Sequence, residues 1–246
     1  MFRAKPQLVL HDEEQAWNRR VLAQPVTAPQ LRLWAYRDPA IVLGAGQRGL
    51  SDTAVALPLL QRQSGGGAVL TGPWLLSASI ALPPDHPLAL AGPIATYLAA
   101  GNAWRRVLAQ CGIDACVLTP SAATALQAQR APALSWACYG GVAPGELVVD
   151  GRKLLGLAQV CRRNGVLLAA GLLWQRPDWT QLSAALGHDH STTAALHAVT
   201  THCADLTATP PTLSELAGLT HAELRALIAA SPPRACGATA IAARAA

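Results

Sequence analysis

The sequence is short of several things. Among 246 residues there is one Phe and one Met, and charged residues make up only 13%. With half the residues apolar, the core has to be built from Leu, Val, Ala and Trp. So little charge excludes disorder over most of the length, because disordered chains are rich in charge and poor in apolar side chains. No apolar run reaches the roughly 18 residues that a spanning helix needs. The first residues, MFRAKPQLVLHDEE, lack the apolar stretch of a secretory signal, and a cytoplasmic protein away from membranes is expected.

The six cysteines (Cys111, Cys116, Cys138, Cys161, Cys203, Cys236) include no CxxC pair. In a reducing compartment that pattern points to free thiols, not to a disulfide framework or a zinc knuckle. His188, His190, His197 and His202 lack metal-ligand spacing, and no metal site is expected. The net charge of +5 is scattered in pairs such as Arg19–Arg20, Arg105–Arg106 and Arg162–Arg163. No basic stripe interleaves with aromatics, which argues against nucleic acid. An acidic carrier protein or an anionic small ligand suits the charge better.

What the sequence does have is bare backbone at one point. LQRQSGGGAVLTGPWLLSASIAL, residues 60–82, holds Gly65, Gly66 and Gly67 in a row. Three glycines together give up conformational entropy on folding, which fits either a tight turn or bulge or a loop whose N–H groups touch a ligand.

Around this loop the pattern predicts a helix over 11–24 with acidic residues in its first turn, where they suit the dipole. Strands follow at 30–36 and 40–46, separated by Arg37-Asp38-Pro39. A helical piece at 52–62 leads to strands at 66–71 and 75–82, the second ended by Pro83-Pro84. A mostly helical stretch covers 87–111, interrupted at Gly101 and stopped by Gly112. DACVL reads as a strand, and the Ala-, Pro- and Ser-rich 119–135 as a surface loop. ELVVD (146–150), a Gly151-Arg152 turn and KLLGLAQV (153–160) form a hairpin, with a further strand at 165–174. Thr220-His-Ala-Glu223 reads as a capping box, and the last ten or so residues as a fraying tail. One α+β domain is expected over 1–246, a mixed sheet flanked by helices with its core at about 28–190 and a helical appendage at about 210–235.

Two residues beside the glycine loop carry chemistry. Lys153 sits in an apolar strand, where burial is costly unless a partner compensates. Cys138, in WACYGGVAPGELVVDGRK, lies eight residues ahead of the hairpin. Each alone is ordinary, since lysines snorkel and free cysteines pack as small hydrophobes.

Together with the glycine loop they resemble the lipoate–protein ligase and octanoyltransferase family, relatives of the biotin ligases. The family's R-R-x-S-G-G-G-A-V is here Gln61-Arg62-Gln63-Ser64-Gly65-Gly66-Gly67-Ala68-Val69. Its D-G-[RK]-K-[ILV]-x-G-x-A-Q is here Asp150-Gly151-Arg152-Lys153-Leu154-Leu155-Gly156-Leu157-Ala158-Gln159. A third block, P-x-V-V-[IL]-G-x-x-Q, is similar to Pro39 through Gln47. The three occur in family order across about 30–175, and a cysteine ahead of the hairpin is closest to the cysteine-dependent octanoyltransferases.

The resemblance implies a biotin/lipoyl-ligase-like catalytic fold and an acyltransferase that moves an octanoyl or lipoyl group onto a lysine of a lipoyl carrier domain. Cys138 would carry the acyl group as a thioester. Lys153 would lower the thiol's pKa or take its proton, and backbone N–H groups near Gly67 or Gly156 would stabilise the oxyanion. Arg62, Ser64, Gly65, Gly66, Gly67, Ala68, Gly156 and Ala158 would bind the acyl chain or its adenylate. The implied partners are acyl carrier protein and lipoyl-domain proteins, the glycine cleavage H protein or a 2-oxoacid dehydrogenase E2. A transferase needs no cofactor. The alternatives are an ATP- and magnesium-dependent lipoate–protein ligase working through lipoyl-AMP, and an acyl-binding paralogue with weakened turnover. The sequence departs from the family at Gln61, at Thr71-Gly72 where His-Asp is usual, at Trp74-Leu75, and at Ala169-Ala170-Gly171 where Gln-His-Gly is usual. Trp74 and the 75–82 strand are expected in the far wall of an acyl pocket.

Overall fold

Burial along LLSASIAL (75–82) sets the architecture: all eight residues are inaccessible, so this strand must be covered on both faces. In the computed structural model, which describes residues 7–9, 11–50 and 56–230, it lies near the middle of a seven-stranded sheet. In chain order the elements begin β1 (Gln7–Val9), α1 (His11–Ala23), β2 (Gln30–Tyr36), β3 (Ala40–Leu43), β4 (Leu59–Gln61), β5 (Val69–Thr71) and β6 (Leu75–Leu82). Next come α2 (Pro87–Leu90), α3 (Pro93–Gln110), β7 (Cys116–Val117), α4 (Pro120–Gln127), β8 (Leu147–Val149), β9 (Arg152–Arg162) and β10 (Gly165–Leu173). The described chain closes with α5 (Trp179–Ala185), α6 (His190–Val199), α7 (Cys203–Leu206) and α8 (Leu213–Ala229).

The large sheet runs β1-β2-β6-β10-β9-β8-β7, antiparallel except for the β1–β2 pair. A small sheet, β4-β3-β5, stands beside it. The expected α+β class with a mixed sheet flanked by helices is what forms. Side chains alternate across the sheet with period two. On one face Leu76, Ala78, Ile80 and Leu82 pack with Leu168 and Leu172 against Trp104 and Val107 of α3 and Leu216 and Leu224 of α8. On the other, Leu75, Ala81, Leu167 and Leu173 pack with Trp17 of α1 and Trp179 and Leu182 of α5. The candidate site lies on this second face.

Several boundaries differ from the expectation, each for a readable reason. Residues 59–61 join β3 as the parallel strand β4 where a helix was expected, and residues 51–55 of that expected helix lie outside the described residues. The stretch 87–111 is two helices divided at Gly92, whose φ of 86° starts α3 with Pro93 behind it. Gly101 does not interrupt α3; it is buried where the Gly145 turn crosses, and a Cβ there would stand 2.1 Å from the Gly145 carbonyl oxygen. Residues 120–127 form α4 where a surface loop was expected, because Thr119 caps the Ala122 N–H and Pro120 opens the helix. The capping box is Thr212 with Glu215, not Thr220 with Glu223. Thr220 is buried within α8, and Glu223 pairs with Arg106 at 2.8 Å. The expected fraying tail falls in 231–246, outside the described residues.

Gly101 gives a clear check. In an open helix Gly→Ala stabilises by about 1 kcal/mol. Here the new methyl meets the Gly145 backbone, so we expect Gly101→Ala to destabilise by about 1–3 kcal/mol in urea unfolding.

Candidate active site

The turn between β8 and β9 determines where Lys153 goes. Asp150 and Gly151 have φ of 49° and 70°, the two-residue hairpin geometry that matches strand twist. Val149 therefore pairs with Arg152, and Lys153 is the second residue of β9. Its side chain does not snorkel out. It is 2% exposed, and an ammonium without water must be paired. Nζ forms an ion pair with Glu146 Oε2 at 2.7 Å. It also donates to the carbonyl oxygens of Cys138 at 2.9 Å and Gly141 at 3.0 Å. An ammonium has three donors, so each has an acceptor. Glu146 is as fully engaged: Oε1 accepts the Leu157 N–H at 3.0 Å and Oε2 that of Ala143 at 2.9 Å.

Cys138 stands on the loop that this lysine grips. It opens a 3-10 turn, Cys138–Gly140. The Cys138 N–H donates to the Ala68 carbonyl at 2.9 Å and the Ala68 N–H to the Trp136 carbonyl at 2.7 Å. The cysteine loop thus runs as a short bridge beside the glycine loop. Lys153 touches the cysteine's backbone carbonyl, and its charge is balanced by Glu146, a partner the sequence reading did not assign. The half-buried Cys138 lines a cavity. Tyr139 beside it donates to the Gly171 carbonyl at 2.6 Å, with its ring 5.3 Å from Lys153 Nζ. Burial pushes the Tyr139 phenol well above its usual pKa, and the Gly156 N–H is directed at its oxygen.

Of the three loop glycines, Gly67 meets protein backbone, Gly66 at a φ of 92° meets the Arg62 guanidinium, and no atom lies within 4 Å of where a Cβ on Gly65 would stand. A Cβ on Gly67 would lie 2.4 Å from the Trp136 carbonyl oxygen, and one on Gly44 would lie 1.8 Å from that of Gly66. Arg62 closes the loop by donating Nη2 to the Gly65 and Gly67 carbonyls, both at 2.9 Å. Gln47, the last residue of the third motif, donates Nε2 to the Trp136 carbonyl at 2.9 Å and accepts the Gly44 N–H at 3.0 Å. The bare backbone thus lets the cysteine loop and β3 approach within van der Waals contact.

The space between these walls, counted together with the open solvent at its mouth, is about 680 Å³. Its floor is a patch of small residues in register across β9, β10 and β6: Gly156 opposite Gly171 opposite Ser77, then Ala158 opposite Ala169. Leu75, Val160 and Leu167 add apolar wall, with Cys138 and Tyr139 at one side. Of the expected binding residues, Arg62, Ser64, Gly156 and Ala158 line it, while Gly65, Gly66, Gly67 and Ala68 do not, and neither does Lys153. Leu75 and Ser77 of the expected far wall line it too. Trp74 does not; it borders a separate depression with Arg176, Asp178 and His197.

One part of the lining was not read from the sequence. Glu14, Gln15 and Asn18 enter from α1, next to Tyr36. Buried Glu14 accepts from Tyr36 Oη at 2.5 Å, Gln15 Nε2 at 3.2 Å and Ser79 Oγ at 3.4 Å. Burial raises its pKa above 4.5, and the Tyr36 and Ser79 hydrogen bonds oppose the rise. The available signal was spacing: Glu14 and Asn18 lie four apart, so they share the helix face that buries Trp17 and Leu22. Among the described residues no group of three or more His, Cys, Asp or Glu is placed to hold a metal, and no helix is long and apolar enough to cross a membrane.

Residues 10–225 match the family model for the lipoyl protein ligase A/B catalytic domain. An octanoyltransferase LipM of Exiguobacterium sp. is 32% identical over 149 residues, 58% of this chain and 53% of the relative. The LipM of Moorella thermoacetica is 32% identical over 151 residues, 59% and 53% of the two chains. The matched region thus spans about half the length of these curated relatives. Among solved structures, a lipoate-protein ligase A bound with ATP superposes with a TM-score of 0.61 at 17% identity, covering 92% of this chain and 86% of that one. A bi-partite lipoate protein ligase from Thermoplasma acidophilum gives 0.64 at 18%, covering 92% and 84%. At these identities the likeness is one of fold.

Two outcomes follow from the buried charges. Glu146→Ala leaves an unpaired ammonium in a dry site, so we expect a loss of about 3–5 kcal/mol in urea unfolding. Glu14 ionises more readily in the unfolded chain, because burial raises its folded pKa. It therefore costs no stability below pH 4.5 and a growing amount as pH rises from 4.5 toward the folded value. Glu14→Gln should flatten that decline, giving a variant whose stability relative to the parent improves from pH 4 to pH 7.

Proposed function

The chain belongs to the lipoyl protein ligase A/B catalytic domain family, and from that premise we propose that it moves an octanoyl or lipoyl group onto a lysine of a lipoyl carrier domain through a thioester on Cys138. The observation that carries this reading is the placement of Cys138. The residue lines a mostly apolar cavity while its backbone is held on both sides, N–H by Ala68 and carbonyl by Lys153.

The thiolate of Cys138 attacks the carbonyl carbon of an acyl thioester on acyl carrier protein. A new carbon–sulfur bond forms, the carbon–sulfur bond to the carrier breaks, and the proton lost by Cys138 ends on the departing thiol. The ε-amine of the acceptor lysine, on an H protein or a dehydrogenase E2, then attacks the acyl-enzyme. An amide forms, Cys138 recovers its thiol, and one proton from the acceptor ammonium passes to solvent. A thioester exchanged for an amide runs downhill without ATP. Lys153 acts as a positioning residue: its three hydrogen bonds fix the cysteine turn, and its pairing with Glu146 keeps that grip charged and dry.

The ligase alternative asks the glycine loop to receive an adenylate. Gly66 and Gly67 are pressed against Gly44 and Trp136, and Arg62 is engaged by the Gly65 and Gly67 carbonyls. The reading therefore favours the route that needs neither ATP nor magnesium, in the cytoplasm where acyl carrier protein resides.

Incubation with octanoyl-acyl carrier protein should add one octanoyl mass to the protein, and hydroxylamine should remove it. Cys138→Ala should lose both the adduct and at least 100-fold of the transfer rate, an order-of-magnitude expectation for loss of a nucleophile. An unchanged transfer rate in that variant, or pyrophosphate release from ATP and lipoate without an adduct, would overturn the covalent route.

A further inference from the structure

Attack on a thioester moves negative charge from the attacking sulfur onto the carbonyl oxygen. In a mostly apolar cavity that oxygen needs a donor already fixed in place. Lys153 is not that donor. Its three hydrogens go to Glu146, Cys138 and Gly141, and the Glu146 carboxylate balances its charge. Among the described residues that line the cavity, Arg62 is the one permanent cation.

The Arg62 guanidinium is fixed along one edge and open on the other. Nε donates to the Gly65 carbonyl at 3.2 Å, and Nη2 donates to the carbonyls of Gly65 and Gly67, both at 2.9 Å. Three of its five N–H donors are thus used, and the planar group is held in one orientation. Nη1 has no acceptor among the described residues, yet it is not one of the buried atoms left without a partner, so it opens on accessible space. Among the described residues no carboxylate forms an ion pair with Arg62.

The glycine loop joins this charge to the cysteine. Gly67, whose carbonyl Arg62 holds, is followed by Ala68, whose carbonyl accepts the Cys138 N–H at 2.9 Å. Consecutive Cα atoms stand about 3.8 Å apart, so the guanidinium and the cysteine turn are bound to neighbouring residues of one short segment. Tyr139 registers both groups. Burial is the main cause of its raised pKa; a negative Cys138 adds to the rise and Arg62 opposes it.

We infer that Arg62 is a catalytic residue whose Nη1 donates to the acyl carbonyl oxygen as the tetrahedral intermediate forms on Cys138. The inference rests on the acyl-transfer reading and deepens it by naming the group that meets the developing charge. The Cys138 sulfur bonds to carbon, the carbon–oxygen π pair moves onto oxygen, and the guanidinium donates to the resulting anion. Collapse returns that pair to the carbon–oxygen bond and releases the carrier's sulfur. The same donor serves when the acceptor amine attacks the acyl-enzyme. Lys153 holds the cysteine, and Arg62 receives the charge.

The test compares two variants of the full chain in steady-state transfer from octanoyl-acyl carrier protein. Arg62→Gln keeps a donor for the loop carbonyls without the charge, and Arg62→Lys keeps the charge with a poorer clamp. We expect kcat to fall about 100-fold or more in Arg62→Gln and only about tenfold in Arg62→Lys, with KM unchanged in both. Equal losses in the two variants would show a clamp alone and overturn the inference, as would a loss confined to KM. A second readout needs no variant. A trifluoromethyl ketone with an octanoyl-length chain takes the Cys138 sulfur at its carbonyl carbon, and the oxygen of that adduct should be anionic in the parent at pH 7. Its fluorine NMR signal should then stay put as pH rises; a signal that moves, reporting a neutral hydroxyl, overturns the inference. An octanoyl adduct on the parent with an unchanged rate in Arg62→Gln sinks this inference alone. No adduct from thioester or ketone overturns the covalent route and this inference with it.

Discussion

Lys153 and Glu146 lie where no water reaches them, and that condition forces every donor and acceptor of the pair to find a partner within the protein. The partners come from four places: the carbonyls of Cys138 and Gly141, the N–H of Ala143, and the N–H of Leu157 in β9. A buried pair of this kind contributes little net stability over a well-packed apolar substitute, because both ions lose their hydration. What it supplies is placement. The 138–146 segment carries no regular strand of its own, and this pair ties it to the edge of the main sheet. The cysteine's position is a consequence.

The glycine loop serves the same end from the opposite side. Its bare backbone admits the Trp136–Ala137 segment at distances that any Cβ would block, and Gly44 admits the loop itself. Arg62 and Gln47 then close the arrangement through main-chain carbonyls. Two of the three sequence blocks thus hold the cysteine loop between them. The small residues of β9, β10 and β6 leave the volume above the sheet that a larger set would fill. Site and scaffold are one packing problem here: the cavity exists because Gly156, Gly171, Ala158 and Ala169 face each other in register.

Much of this could be read from residues alone. β6 and β10 appear nearly at their observed ends because long apolar runs bounded by Pro83-Pro84 and by Gly165 leave little choice. The Asp150-Gly151 turn defines its hairpin by local chemistry. Elements with weaker local signals were missed. β4 has three residues and exists by pairing with β3. α4 has an Ala-rich composition that reads equally well as a loop, and only its Thr119 cap tells otherwise. In α8 the real capping box competes with a second match to the same pattern two turns on, and burial of Thr220 decides between them.

For the site, the sequence by itself determined the family and singled out the cysteine, the lysine and the glycine loop as candidates, because these are contiguous motifs whose spacing carries the information. It also required that a lysine in an apolar strand have a partner. Which partner, and which way the lysine points, the tertiary structure decided. Glu146 is seven residues from Lys153 and faces it only because of the hairpin and an irregularity in the β8–β9 pairing. The entry of Glu14 and Asn18 into the cavity depends on α1 packing across the sheet more than a hundred residues from Cys138 in the chain. Local propensity and motif spacing are encoded within a few residues, whereas the burial that gives a carboxylate or an amide its energetic weight arises only when distant segments exclude water together.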